Sequence, residues 1–170
     1  MDLLPEPATP DWQRLDARVI DLDRAVGWLF TAGLSMLMGL AALTVWLIPD
    51  APPWLTYLVA PAWMAAALAA AAFARRWPPL HYRHAGYRIG GEGIEIRRGV
   101  LWRTLISVPR SRVQHIDVTQ GPFERRYGLS TLSVYTAGTE HSRVELRGLD
   151  QATALALRDR LLPAGSPEAL

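Results

Sequence analysis

The chain has 170 residues, no cysteine, and 18 basic side chains that are all arginine. Without a thiol there are no disulfides, cysteine nucleophiles or thiolate-bound metals, and without lysine there is no Schiff base or P-loop lysine. The net charge of +2 hides an uneven spread: residues 1–24 hold six acids against three arginines, whereas residues 75–163 hold fifteen arginines against eight acids.

Residues 1–24 read as a polar cytoplasmic segment. Charge is then absent from Ala25 to Pro49 and again from Ala51 to Ala74. A helix over about 25–48 would rise roughly 36 Å, enough to cross a hydrocarbon core of about 30 Å with some tilt. A second span is predicted over about 54–74, joined to the first by the short, proline-rich Pro49-Asp50-Ala51-Pro52-Pro53. Trp28, Trp46, Trp54 and Trp77 sit where an interfacial aromatic belt belongs. The first apolar run is too long, and its leader too acidic, for a signal peptide. Arg14, Arg18 and Arg24 precede the first span, Arg75 and Arg76 follow the second, and the connecting loop has no arginine. The expectation is a hairpin over 25–77 in the cell membrane, multi-pass, with both termini cytoplasmic. Pro61 is expected to kink the second span, and Ser35 with Gly39 to allow close helix packing. Neither span contains an ionisable residue, which argues against an ion or proton path.

From His81 onward the pattern becomes short β runs broken by glycines. Tyr87–Ile89 and Ile94–Arg97 flank a turn at Gly90–Gly93, Gly99 makes another turn, and Val100–Val108 reads as a longer strand ended by Pro109. Val113–Thr119, Leu132–Thr136 and Arg143–Arg147 follow, with a turn at Gly138–His141. Asp150 is the expected N-cap of a helix over Gln151–Leu162, with Ala154, Leu157 and Leu161 on one face, stopped by Pro163 and Gly165. Residues 164–170 are an expected disordered tail. The fold class is therefore α+β: a transmembrane helical hairpin, then over 78–163 a bent antiparallel sheet or partial barrel capped by a C-terminal helix.

The run Val108-Pro109-Arg110-Ser111-Arg112-Val113-Gln114-His115-Ile116, continuing through Gln120-Gly121-Pro122, Arg125-Arg126 and Gly128-Leu129 to Tyr135-Thr136-Ala137-Gly138, resembles the bacterial PH-like domain of YdbS-like membrane proteins. The glycine-rich hairpin at Gly90–Gly99 and the two preceding spans resemble that family too. Thr139 departs from it, standing where many relatives continue with a second glycine. The resemblance covers about residues 15–163 and implies a PH-like fold without implying chemistry. It also implies a membrane complex with a paralogous PH-like protein or with itself, and a role in envelope stress or resistance to membrane-active peptides.

Arg110, Arg112, Arg125 and Arg126 are the candidate patch for phosphate headgroups or an acidic partner. The plainer reading, and the one the residues favour, is that one arginine of each pair anchors a loop and the other is solvated. Pro109, Gln114, Gln120, Gly121 and Gly128 are expected to be structural, with the glutamines on the apolar face of their strand by parity with Ile116 and Val118, bracing the loop at Gly121-Pro122. His81 and His84 share an i,i+3 spacing, but no metal or cofactor is expected. His115 and Asp117 with Ser111 or Ser133 make no triad in sequence order. Tyr82, Tyr87, Trp102 and Tyr127 interleave with arginines, yet a core or interfacial role is expected over nucleic acid. The chain is thus expected to be a non-enzymatic, membrane-anchored interaction module; the alternative is an anionic lipid-headgroup binder or lipid-handling protein at the inner leaflet.

Overall fold

In the computed structural model, residues 11–48, 52–137 and 143–162 are described. The expected connection at 49–51, the turn at Gly138–His141 and the tail after Leu162 lie outside them. The apolar runs form α1 (Arg18–Leu47) and α2 (Pro53–His84), both long and apolar enough to cross a membrane. Their large side chains, Phe30, Met36, Leu37, Tyr57 and Leu68 among them, are exposed. A core helix of a soluble protein would bury such residues; here lipid is the solvent that suits them.

Both helices outrun the expected spans. α2 runs through Pro61, Pro78 and Pro79 to His84, so the stretch after Trp77 is helical up to the first strand. Of the glycines on α1, Gly27 lies closer to α2 than Gly39 does. A β-carbon on Gly27 would lie 3.0 Å from Ala74 Cβ, whereas one on Gly39 would have ordinary contact with Trp63 at 3.7 Å. Thr31 Oγ1 donates to Gly27 O at 2.8 Å, so the hydroxyl beside this contact is satisfied within α1.

The globular unit comprises the described residues up to Val19 together with those from Leu80 onward; Ile20–Pro79 form the other unit. Among the described residues six strands follow α2: β1 (Gly86–Gly90), β2 (Gly93–Arg98), β3 (Thr104–Pro109), β4 (Val113–Thr119), β5 (Leu129–Thr136) and β6 (Arg143–Asp150). They form two three-stranded antiparallel sheets, β1-β2-β3 and β4-β5-β6, that do not close into a barrel. Alternation puts Ile94, Ile96, Ile106 and Val108 of the first sheet into one core with Val113, Ile116, Leu132, Val134, Val144 and Leu146 of the second. A short helix, α3 (Pro122–Tyr127), joins β4 to β5. The last helix, α4 (Gln151–Leu161), covers the core with Ala154, Leu157 and Leu161, and the side chain of Asp150 caps it by accepting from Ala152 N at 3.1 Å.

Two expectations need correction. Strand β3 begins only at Thr104, because Gly99–Arg103 form the loop that closes the β2–β3 hairpin. Gln114 and Gln120 are exposed, not on the apolar face. The register slips between Val113 and His115, and this bulge absorbs Gln114, so that Val113 and Ile116 point inward and parity from Ile116 no longer carries back to Gln114. The described part of the segment before the first span packs on the globular unit. Gln13 pairs with Tyr87 by two backbone hydrogen bonds of 2.7 and 3.0 Å, extending the first sheet beyond β1. Asp16 N donates to Gly148 O at 2.9 Å, and Tyr82 OH to Leu15 O at 3.1 Å. The Trp12 ring lies under the guanidinium groups of Arg88 and Arg97, at 5.2 and 4.7 Å.

Arg18 locks this segment down. It pairs with Asp16 at 2.7 Å and Asp150 at 2.9 Å, and donates to Tyr127 O at 3.2 Å. Two glycines make room. Gly128, at φ 67°, ends α3 in the left-handed conformation beneath Arg18, and Gly148, at φ 78°, lies against Val19. The Arg18 hydrogen bonds hold the Asp16 carboxyl below the usual carboxylate range, and the Arg88 hydrogen bond does the same for Glu95 across the β1–β2 pair. Because both are lowered in the folded protein, their contribution is complete above the ordinary carboxylate pKa of about 4 and is lost as the pH falls through the depressed values. The urea midpoint should therefore drop on acidification below about pH 4, and drop less steeply in an Asp16→Asn, Glu95→Gln variant.

Candidate functional site

Strand β4 is an edge strand: β5 pairs with one side of it, and among the described residues no other strand pairs with the opposite side. Helix α4 runs beside it, leaving a cleft of about 440 Å3 between strand and helix. Ile116, Val118, Leu155 and Leu162 give the cleft an apolar floor, and His115, Asp117, Gln120, Gln151 and Arg158 give it a polar rim. His115 Nε2 and Asp117 Oδ1 are 2.5 Å apart, and the imidazole leans on Tyr135 at 5.6 Å between ring centroids. Arg158 donates to its neighbour Asp159 at 2.9 and 3.0 Å. Ser130 also lines the cleft. It is completely buried and its hydroxyl has no hydrogen-bond partner. An orphaned buried hydroxyl costs on the order of 1–3 kcal/mol, which a polar group entering the cleft would offset.

A serine nucleophile needs a base hydrogen-bonded to it, and the Ser130 hydroxyl bonds to nothing. Ser133 accepts from Arg143 at 3.3 Å, and Ser111 lies on the short 3-10 turn Arg110–Arg112. Among the described residues no three His, Asp or Glu side chains cluster as metal ligands. His81 and His84 end α2, where His84 Nδ1 contacts Leu80 O at 2.8 Å.

The four patch arginines fall into two separate places. Arg110 and Arg112 precede β4, and Arg125 and Arg126 follow it on α3, so the length of a seven-residue strand, roughly 20 Å, separates the pairs. Arg110 is an anchor: its Nη2 donates to Leu162 O at 2.7 Å, holding the end of α4. Arg112, Arg125 and Arg126 are exposed. Pro109 ends β3 and starts the turn, and Gly121 precedes α3. Gln120 Nε2 donates to Leu129 O at 2.8 Å, bridging the two ends of the β4–β5 connection. Glu124 secures the same connection, accepting from Gly121 N at 2.8 Å and from Thr131 Oγ1 at 2.6 Å. Of the aromatic residues interleaved with arginine, Tyr87 is buried and Trp102 is the most exposed.

Sequence reasoning missed α3 and the N-terminal strap. The signal for α3 was Gly121-Pro122 and Gly128, proline in the first helical turn and glycine just past the last. The strap's signal was weaker, a tryptophan at position 12 with no hydrophobic run around it.

The family model for the bacterial PH domain matches residues 25–164, four fifths of the chain. The UPF0699 transmembrane protein YdbS of Bacillus subtilis (strain 168) is 29% identical over 110 residues, which is 65% of this chain and 65% of that protein. The chain therefore matches less than two thirds of that curated relative's length. No solved structure matches it.

Proposed function

We propose, from the premise that this chain belongs to the bacterial PH domain family, that it is a non-enzymatic docking module anchored in the inner membrane by its helical hairpin. The observation that carries this is the strap. The described residues of 11–19 and 80–162 belong to one unit, which supports a chain that leaves through α1 and returns through α2 to the same side of the bilayer. The arginines flanking the spans favour the cytoplasm as that side. A reporter fused after Leu170 should accordingly be active only inside the cell; activity outside would overturn the topology.

The docking surface is the open edge of β4 with the cleft beside it. An extended segment can add to an unpaired strand edge, and the neighbouring pocket reads its side chains. The partner is a paralogous PH-like membrane protein or a second copy of this chain, and the complex serves envelope stress or resistance to membrane-active peptides. Extracted in mild detergent and cross-linked, the full chain should yield a discrete complex with itself or with a PH-domain protein identified by mass spectrometry. An Asp117→Arg, Gln151→Arg variant should lose most of that complex. A chain that stays monomeric and alone would overturn the reading.

One observation favours a second reading, contact with anionic lipid. On α3 the exposed Phe123 accompanies Arg125 and Arg126, and the helix ends on Tyr127, whose carbonyl is held by the first residue of α1. Retention of phosphatidylglycerol by the purified full chain should fall in an Arg125→Ala, Arg126→Ala variant; unchanged retention defeats it.

A further inference from the structure

The loop between β2 and β3 breaks the rule that the rest of the globular unit keeps. From Leu80 onward, the large apolar side chains exposed among the described residues are Leu80, Leu101, Trp102, Leu105 and Phe123. Three of these belong to one hairpin. Trp102 is 88% exposed, Leu101 79% and Leu105 60%, although Leu105 lies in a strand whose neighbours Ile106 and Val108 are buried. The loop itself, Gly99–Arg103, is short and built: Gly99 has φ 107°, and a β-carbon there would meet Trp102 O at 1.8 Å, so the backbone folds tightly back and pushes Leu101 and Trp102 outward. Arg98 and Arg103 flank these two residues on either side. Both are exposed, and no carboxylate among the described residues pairs with them. Glu95, on the same strand as Arg98, is taken by Arg88.

Register shows where this loop emerges. Gly86, the first residue of β1, pairs with Arg97, one residue before Arg98. The loop therefore leaves the sheet at the end where the chain enters it, two residues after α2 stops at His84. At the opposite end of β2 and β3 lie Gly93 and Pro109, which lead to Arg110 and the start of β4.

We infer that the Gly99–Arg103 loop is a peripheral membrane anchor: Leu101 and Trp102 enter the interfacial layer of an anionic bilayer, and Arg98 and Arg103 meet its phosphates. The inference rests on the hairpin spanning the bilayer and not on partner docking. Tryptophan prefers the headgroup level, and each arginine near an anionic surface adds attraction. A second copy of the chain fits worse. Two side chains of this size expose roughly 400 Å2, half of the about 800 Å2 that each partner of a stable complex contributes. The tether to α2 also keeps the loop at the membrane at a high effective concentration without any partner.

The absence of cysteine makes a direct test possible. The full chain is reconstituted in phosphatidylglycerol-rich vesicles containing nitroxide lipids, with one environment-sensitive fluorophore on Leu101→Cys, Gln114→Cys or Leu40→Cys. Gln114 is exposed at the start of β4, and Leu40 is exposed on the C-terminal part of α1, within the uncharged run. The labels at 101 and 40 should be quenched by lipid-borne nitroxide several-fold more than the label at 114. Adding Arg98→Glu and Arg103→Glu should cut the quenching at 101 by about fivefold or more and leave 40 unchanged. Equal quenching at 101 and 114 overturns the inference, as does a signal at 101 indifferent to the arginine changes. A blue shift at 101 that grows with protein-to-lipid ratio without lipid quenching overturns it in favour of self-association. Loss of quenching at 40 would instead sink the membrane-anchor reading itself, so the two failures are distinguishable.

Discussion

Replacing Gly148 with valine should destabilise the globular unit by about 2–4 kcal/mol, the joint effect of backbone strain and overpacking. Gly148 sits at φ 78°, where a β-branched side chain is disfavoured, and its missing β-carbon would lie 2.7 Å from Val19 Cγ2 and 3.0 Å from Val19 Cβ. The neighbouring bond from Asp16 N to Gly148 O ties the strap to β6 at this same residue. The expected result in a urea titration of the detergent-solubilised full chain is a lower midpoint, and proteolysis should begin before α1. A double-mutant cycle with Val19→Ala separates the two causes. Trimming Val19 should restore the overpacking share in the Gly148→Ala background but not the share due to the left-handed backbone. If Gly148→Val is as stable as wild type, both the left-handed backbone at Gly148 and its close contact with Val19 are refuted.

Leu132→Ala should cost about 2–5 kcal/mol, the range for emptying a fully enclosed leucine site. Leu132 is completely buried at the centre of β5, paired with Val118 of β4 on one side and Leu146 of β6 on the other. The surrounding residues are held by two ladders and by α4, so the cavity cannot collapse cheaply. Against the roughly 5–15 kcal/mol typical of a whole domain, that loss should lower the melting temperature sharply while leaving insertion of the helical hairpin intact. The contrast is informative because the two units rest on different physics. Apolar burial from water holds the sheets, whereas lipid itself solvates α1 and α2. A charge placed at the middle of α1 would show the opposite pattern.

The membrane spans were legible because an uncharged apolar run of about 24 residues matches the thickness of a bilayer and exceeds what a small aqueous core can enclose. So were five of the six strands' positions and the last helix, down to its cap at Asp150 and its inward face of Ala154, Leu157 and Leu161. These features are local: period, cap residue and turn residue sit next to one another in the chain. The candidate arginine patch was only half legible. Residue type marked the four side chains, but Arg110 turned out to be held by Leu162 O, and the length of β4 separates the pairs.

What the sequence determined by itself is the solvent of each part: lipid for the uncharged runs and water for the alternating strands. Only the tertiary structure decided which segments meet. The pairing of Gln13 with Tyr87, the bulge that turns Gln114 outward, and the cleft between β4 and α4 all depend on residues far apart in the chain. Such contacts are set by packing and register, which no local periodicity encodes.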